Sequence, residues 1–154
     1  MKKRKIKPDC QYFLGDKPCQ FHKQSKMECL HCPHYLPLGY RILVIKLEAM
    51  GDVLRTTSIL PGLFKKYSPC SITWVTQDKS QDLLKNNPYV YRILTPDTAY
   101  LALHIEKFDL LINLDTSIQA ASLATLAGAN IKKGFGLSVK GYVYPFNPEA
   151  EEWF

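Results

Sequence analysis

The stretch Arg41-Ile-Leu-Val-Ile-Lys-Leu-Glu-Ala-Met-Gly-Asp-Val-Leu-Arg-Thr-Thr57 decides the fold of this chain. It begins with a near-continuous apolar run, residues 42–47, which is typical of a strand covered on both faces. Gly51 then breaks the run, and the apolar stripe that follows predicts a helix over residues 52–67. Because open α/β sheets bind ligands at the carboxyl ends of their strands, we expect a functional site at this turn.

Ionisable residues surround the predicted turn. Lys46 and Glu48 alternate out of the strand end, and Asp52 stands where a helix N-cap belongs. Arg55 and Thr56 follow three and four residues later, on the same helix face as Asp52. A cap is worth about 1 kcal/mol and by itself explains an aspartate here. A carboxylate flanked by Lys and Arg also stays ionised and can accept a proton from an alcohol, so both interpretations of Asp52 stay open.

Strands and helices alternate along the rest of the chain. Further strands are predicted at residues 71–76, 91–94, 109–114, 132–135 and 141–144, and further helices at residues 79–86, 99–107 and 117–127. Pro61 is expected to kink or restart the helix over residues 52–67, because it lacks a backbone N–H. The alternation predicts a Rossmann-like, doubly wound parallel α/β sheet. The glycine-rich G-x-G-x-x-G fingerprint is missing, which argues against another Rossmann enzyme with a nucleotide cofactor.

Charge and composition divide the chain in two. Residues 1–39 hold eight Lys and Arg against three Asp and Glu, and residues 40–154 hold twelve against eleven. We therefore predict a basic, Cys/His-rich appendage over residues 1–39 and a Rossmann-like domain over residues 40–154. A basic segment can bind nucleic acid or anionic lipid, or simply keep the protein in solution. No apolar run approaches the roughly 20 residues of a membrane span, so a cytoplasmic protein with reduced or metal-bound cysteines is expected.

The appendage contains four of the five cysteines, at Cys10, Cys19, Cys29 and Cys32. The last two form a C-x2-C knuckle, a spacing at which two thiolates fit one tetrahedral zinc ion. The first two complete a four-sulfur site, unless His22 or His34 replaces one of them. Free thiols, an iron–sulfur cluster and disulfides are the alternatives. Zinc is favoured as a structural cofactor, because so short a segment cannot build its own core.

Several short motifs, in this order and spacing, resemble glycosyltransferase family 9, the ADP-heptose:lipopolysaccharide heptosyltransferases. The resemblance covers roughly residues 40–136, and each motif alone is weak. The motifs are Ile42-Leu43-Val44-Ile45-Lys46-Leu47, Met50-Gly51-Asp52-Val53-Leu54, Thr56-Thr57, Leu60-Pro61, Ile72-Thr73-Trp74-Val75, Leu83-Leu84, Asn87-Pro88-Tyr89-Val90, Phe108-Asp109-Leu110-Leu111-Ile112-Asn113-Leu114, Leu126-Ala127-Gly128-Ala129 and Lys133-Gly134-Phe135.

The resemblance implies a GT-B fold, in which two Rossmann-like domains face each other across a cleft. The chain corresponds to the N-terminal, acceptor-binding half, and the aspartate that the family regards as its general base falls on Asp52. By the same resemblance the ADP-sugar donor is held by a C-terminal domain. No catalytic metal is expected, because the sequence contains no D-x-D pair that would hold a metal-chelated nucleotide sugar. The expected acceptor-binding residues are Lys46, Glu48, Gly51, Arg55, Thr56, Asp115 and Thr116. For Asp115 and Thr116, capping of the following helix is the competing interpretation.

The implied function is inverting transfer of heptose from ADP-heptose to a lipopolysaccharide-core or related glycolipid acceptor. Residues 1–154 alone are not expected to catalyse this transfer. For an acceptor of this kind, the protein is also expected to make peripheral contact with the inner face of the inner membrane. The alternative is a zinc-knuckle module that binds nucleic acid and uses the Rossmann domain as a scaffold. Tyr12, Phe13 and Phe21 are the only aromatic residues near the basic run, which is thin support for base stacking. Nucleic acid is therefore not expected as a partner.

Overall fold

The computed structural model describes residues 6–154, and the chain divides between Gly39 and Tyr40 into two compact units. The division falls where the sequence changes from a basic, cysteine-rich segment to alternating strands and helices. Most of the basic run at the start, residues 1–5, lies outside the described residues. Residues 6–39 are called the cysteine unit below, and residues 40–154 the sheet unit.

The sheet unit is built on six strands: β1 Tyr40–Ile45, β2 Cys70–Val75, β3 Val90–Leu94, β4 Lys107–Asn113, β5 Gly128–Leu137 and β6 Val143–Pro145. Their order across the sheet is β3-β2-β1-β4-β5-β6. The first five strands pair in parallel, as the alternating pattern predicts, and β6 pairs antiparallel with β5. The predicted parallel sheet therefore holds for five strands, and the last folds back as a hairpin.

The sheet unit contains five helices. They are α2 Met50–Thr56, α3 Leu60–Tyr67, α4 Pro96–Ile105, α5 Ile118–Leu126 and α6 Pro148–Glu151, and the cysteine unit adds α1 Gln20–Ser25. Three 3-10 turns complete the elements, at Cys29–His31, Thr57–Ile59 and Asp78–Leu83. Among residues 6–154, no helix combines the length and the apolar character that crossing a membrane requires.

Two predictions about the helices have different outcomes. Pro61 is the second residue of α3, and a 3-10 turn separates α3 from α2, so the predicted restart is confirmed. The helix predicted over residues 79–86 is wrong, because Asp78–Leu83 forms a 3-10 helix instead. That segment is too short to gain many i→i−4 hydrogen bonds, and short segments commonly adopt 3-10 geometry.

The hydrophobic core lies on both faces of the sheet, and β1 contributes to each face. Leu43 and Ile45 pack into one cluster with residues of α4 and α5, and Ile42 and Val44 pack into the other with Trp74 and residues of α2 and α3. These four of the six side chains of β1 are fully buried. Alternate residues of a strand point to opposite faces, so a run buried on both faces has no polar positions.

Gly134 is required where β5 passes β4. Its φ is +91°, and a Cβ added there would overlap the backbone carbonyl oxygen of Asn113. We expect Gly134→Ala to lower the free energy of unfolding by at least about 2 kcal/mol, from backbone strain and steric overlap together. Urea unfolding, followed by tryptophan fluorescence, measures the change.

The matched control is Gly62→Ala in α3, where an added Cβ meets nothing within 4 Å. That substitution should leave stability unchanged or raise it by up to about 1 kcal/mol, because alanine favours helix. Equal unfolding midpoints for the two alanine variants would contradict the role given to Gly134.

Candidate functional site

The strand order places a topological switch point between the carboxyl ends of β1 and β4. β1 pairs with β2 on one side and with β4 on the other, and the chain crosses from β3 to β4. Doubly wound sheets bind their ligands in the crevice at such a point. The residues that follow these two strands, 46–52 and 114–117, therefore form the candidate site.

The Asp115 carboxylate joins the two strand ends. One oxygen accepts hydrogen bonds from the backbone N–H groups of Leu47, at 3.1 Å, and Glu48, at 3.3 Å. The other oxygen accepts from the N–H of Ser117 at 2.9 Å, and Lys46 Nζ lies 3.7 Å from the carboxylate. Asp115 is 7% exposed. This buried carboxylate fixes the backbone after β1 to the backbone after β4.

The pKa of Asp115 reflects two opposed effects. Burial by itself would raise this pKa, since it disfavours the charged form. Hydrogen bonds from Ser117 and Glu48 and the positive charge of Lys46 outweigh burial, and the net result is a pKa below the ordinary value of an aspartate. Asp115 is therefore ionised at neutral pH, and its carboxylate lies 3.7 Å from Lys46 Nζ beside the strand ends.

The start of α2 differs from the sequence prediction. Ala49 is the N-cap residue, so Asp52 is the third residue of the helix and not its cap. The helix begins two residues earlier than predicted because the N–H groups of Asp52 and Val53 both donate to the carbonyl of Ala49, each at 2.9 Å. An acidic side chain in the first turn still interacts favourably with the positive end of the helix dipole.

Asp52 forms an ion pair with Arg55, which follows it by three residues. The guanidinium of Arg55 donates to the carboxylate and lowers the pKa of Asp52, and the charge of Lys46 acts in the same direction. The Asp52 side chain is 41% exposed and that of Arg55 is 83% exposed. Asp52 therefore carries an ionised carboxylate that a solute can reach.

The other predicted site residues have different surroundings. Glu48 is exposed and pairs with Lys79 at 3.2 Å. The hydroxyl of Thr56 donates to the backbone carbonyl of Asp52 at 2.7 Å. A Cβ at Gly51 would meet nothing within 4 Å, so the glycine leaves open space beside Asp52. Thr116 is exposed after β4.

Capping of α5 falls to Ser117, not to Asp115 or Thr116. The Ser117 side chain accepts a hydrogen bond from the N–H of Ala120 at 3.3 Å. Asp115 binds the N–H of the capping residue and the two N–H groups after β1, as described above. The capping interpretation of Asp115 is thus replaced by one in which it connects two strands.

Two residues at this edge are missed by the sequence reasoning. Asn113 is fully buried, its amide donates to the carbonyl of Phe135 at 2.7 Å, and its Oδ1 accepts from the N–H of Asp115 at 3.1 Å. A polar residue that ends an apolar strand run is the signal that could have identified it. Lys79, the partner of Glu48, carries no local signal, because the pair depends on how the chain folds.

The four cysteines predicted as metal ligands lie together in the cysteine unit. Cys10, Cys19, Cys29 and Cys32 all line one cavity of about 300 Å³. None of them forms a disulfide, and each is partly buried. Across residues 6–154, no group of three or more His, Cys, Asp or Glu side chains is close enough to hold a single metal ion. The predicted zinc therefore stays a prediction.

The fold and the site define a class: a Rossmann-like α/β protein with an ionised, accessible carboxylate at the switch point of its sheet. No protein-family model matches the chain, and no curated protein sequence matches it. Among solved structures, it is similar to a glycosyl transferase family 9 protein from Veillonella parvula, with 28% identity and a TM-score of 0.55. That match covers 63% of this chain and 32% of the other.

Two E. coli structures share the fold at lower identity. The chain matches heptosyltransferase WaaC with ADP at 22% identity and a TM-score of 0.53, over 61% of this chain and 34% of that one. It matches ADP-heptose lps heptosyltransferase II at 22% identity and a TM-score of 0.54, over 61% and 30%. The predicted Rossmann-like fold and the predicted resemblance to glycosyltransferase family 9 are confirmed. The chain spans about a third of the length of these glycosyltransferases.

Proposed function

We propose that the sheet unit binds the acceptor of an inverting glycosyltransferase and supplies Asp52 as its general base. The observation that carries this proposal is the accessible carboxylate of Asp52, kept ionised by Arg55 and Lys46 beside the switch point. An ionised, exposed carboxylate is able to take a proton from an incoming hydroxyl group. The likeness to a family 9 glycosyl transferase supports the reaction class.

In the proposed reaction, an acceptor hydroxyl gives its proton to Asp52 while its oxygen attacks the anomeric carbon of the donor sugar. The bond from that carbon to ADP breaks, the electron pair leaves on the diphosphate, and the configuration inverts. The proposed donor is ADP-heptose, held by a second domain; one similar structure is E. coli WaaC with ADP-2-deoxy-2-fluoro heptose. Groups that neutralise the leaving diphosphate belong to that domain, so residues 1–154 alone are not expected to catalyse transfer.

The proposed acceptor is a lipopolysaccharide-core or related glycolipid. Lys46 and Arg55 supply positive charge for acceptor phosphates, and Glu48 and Thr116 are exposed polar groups suited to sugar hydroxyls. Gly51 leaves room for the acceptor, while Thr56 and Asp115 hold the backbone around the site. On this proposal the protein works in the cytoplasm, at the inner face of the inner membrane where such an acceptor lies.

The aromatic contacts within the cysteine unit do not support the alternative function, nucleic-acid binding. The rings of Tyr12 and Phe21 pack edge to face at 4.9 Å, and Phe21 stacks on His34 at 3.9 Å. Aromatic rings that bind single-stranded nucleic acid must offer a face to the bases. Since the Phe21 ring is already stacked within the unit, we keep acceptor binding as the single proposed function.

The 154-residue chain is expected to bind a deacylated lipopolysaccharide-core oligosaccharide and not ADP-heptose. Arg55→Ala should weaken acceptor binding about 10- to 100-fold, the loss expected for a hydrogen bond to a charged group. Isothermal titration calorimetry measures both ligands with the wild-type chain and the variant.

The matched control is Lys85→Ala, because Lys85 and Asp82 form an exposed ion pair with the same three-residue spacing as Arg55 and Asp52. Acceptor affinity should not change in this variant. A chain that binds ADP-heptose but not the acceptor would contradict the assignment of the acceptor-binding half.

A further inference from the structure

The cysteine unit has no hydrophobic core. No residue between 6 and 39 is buried, whereas the sheet unit buries whole strands. Chains below about 40 residues generally need disulfides, metals or association to fold. None of the four cysteines of this unit is in a disulfide. Something other than apolar packing must therefore stabilise the unit.

All four cysteines of this unit line one cavity, although no three of them lie close enough together to hold a single metal ion without moving. Cys10, Cys19, Cys29 and Cys32 line a single cavity of about 300 Å³, although they are spread over much of the unit. A liquid water molecule occupies about 30 Å³, so this space is large for a unit of this size.

The backbone around the cavity is well connected. The N–H of Leu38 donates to the carbonyl of Asp9 at 2.7 Å, and that of Gln11 donates to the carbonyl of Leu36 at 2.7 Å, on either side of a bridge between Cys10 and Pro37. Cys19 is the N-cap residue of α1. Segments distant in sequence are thus tied together around the thiols.

The Cys29–Cys32 segment forms a tight turn. Its 3-10 geometry closes with the N–H of Cys32 donating to the carbonyl of Cys29 at 3.4 Å, and the N–H of Tyr35 donates to the carbonyl of Cys32 at 3.3 Å. On another wall of the cavity, Phe21 and His34 stack face to face at 3.9 Å. The thiols therefore face a space whose walls are defined by other contacts.

We propose that Cys10, Cys19, Cys29 and Cys32 bind a soft metal through four thiolates, and that this centre is the core of the cysteine unit. Four thiolates hold either a zinc ion or a [4Fe–4S] cluster, and both share this ligand chemistry. A single zinc ion requires Zn–S distances of about 2.3 Å, so the four sulfurs would draw inward around it. A cluster of four irons fills more of the cavity.

Metal content tests the proposal on the full chain, purified without oxygen and without chelators. Zinc and iron are measured by mass spectrometry and acid-labile sulfide by colorimetry. The expected result is about one zinc per chain, or about four irons with equivalent sulfide. The two outcomes identify the occupant, and each supports the four-thiolate site. A wild-type chain that carries neither metal overturns it.

Variants identify the ligands. Each of Cys10→Ser, Cys19→Ser, Cys29→Ser and Cys32→Ser should lose most of the metal. Cys70→Ser is the matched control, because Cys70 lies in β2 and does not line the cavity. His22→Ala tests the competing ligand, since His22 does line the cavity, and it should keep the metal. Full metal content in the four Cys→Ser variants, or loss of the metal in His22→Ala, overturns the proposed ligand set.

A second measurement separates a core role from incidental binding. Metal removal should make residues 6–39 susceptible to protease, while the fluorescence of the fully buried Trp74 in the sheet unit does not change. Restoring zinc, or iron with sulfide, should restore protection. Equal protease resistance with and without metal would show that the metal is not the core. Because this readout involves no sugar, it is independent of the proposed transferase activity.

Discussion

On the proposed function, Asp52→Asn is expected to lower the rate of sugar transfer by about 10²–10⁴-fold, measured in a protein that also carries the donor-binding domain, with little change in folding. The asparagine amide keeps the shape of the side chain but has no basic oxygen for the acceptor proton. Because the Asp52 side chain is 41% exposed and, within residues 6–154, forms an ion pair with Arg55 alone, the substitution disturbs few contacts. The measurement is kcat for transfer from ADP-heptose to a lipopolysaccharide-core acceptor.

Asp82→Asn is the control, since Asp82 forms an exposed ion pair with Lys85 at the same spacing. Its rate should equal that of the wild type. A transfer rate within about threefold of wild type for Asp52→Asn would exclude proton removal by this carboxylate, given the usual contribution of a general base.

The pH dependence of the rate provides a separate readout for Asp52. Only the ionised carboxylate accepts a proton, so kcat/KM falls as the pH drops through the pKa of Asp52. Arg55 lowers that pKa, so the acid limb should lie below the ordinary aspartate value of about 3.9. Arg55→Ala should move this acid limb of the kcat/KM profile to higher pH. An acid limb unmoved by Arg55→Ala would contradict this assignment.

Asp115→Ala is expected to lower the free energy of unfolding by about 3–5 kcal/mol, as removal of one partner from a buried ion pair does. The substitution leaves the N–H groups of Leu47, Glu48 and Ser117 without their acceptor and Lys46 without its counter-charge. Urea unfolding followed by tryptophan fluorescence measures the loss.

As a control, the exposed Asp82→Ala variant should change the free energy of unfolding by no more than about 0.5 kcal/mol.

The contribution of Asp115 to the free energy of unfolding should also depend on pH. Its pKa is lowered by folding, so the stabilisation is fully present above the unfolded value of about 3.9 and is lost as pH falls through the folded pKa. A stability difference between wild type and Asp115→Ala that persists unchanged at lower pH would contradict this account.

The sequence predicts the fold well because the relevant patterns are local. The apolar run that forms β1 and the restart at Pro61 each depend on residues within a few positions of one another. The break predicted at Gly51 is wrong, because β1 ends at Ile45 and Gly51 is already the second residue of α2. The segment Asp78–Leu83 is predicted wrongly, since its apolar pattern does not distinguish a short α-helix from a 3-10 helix. The residues of β6 also do not show whether this strand runs parallel or antiparallel to its neighbour, because that depends on how it pairs with β5.

The candidate site is predicted in part. Lys46, Glu48 and Asp52 follow β1 directly, so the sequence places them at one edge of the sheet. The hydrogen bonds of Asp115 to the backbone after β1 join residues 67 and 68 positions apart, and no local pattern encodes them. The same holds for the Glu48–Lys79 ion pair. These contacts follow from the register of β1 against β4 and from the packing of the segment after β2.

The sequence by itself therefore determined the alternation of strands and helices, the Rossmann-like class and the placement of Lys46, Glu48 and Asp52 after β1. Tertiary structure alone decided that Asp115 connects the strand ends and that the four cysteines line one cavity. The physical reason is the range of the interactions. Periodicity acts within one element, whereas charges, hydrogen bonds and thiols meet only when distant segments pack together.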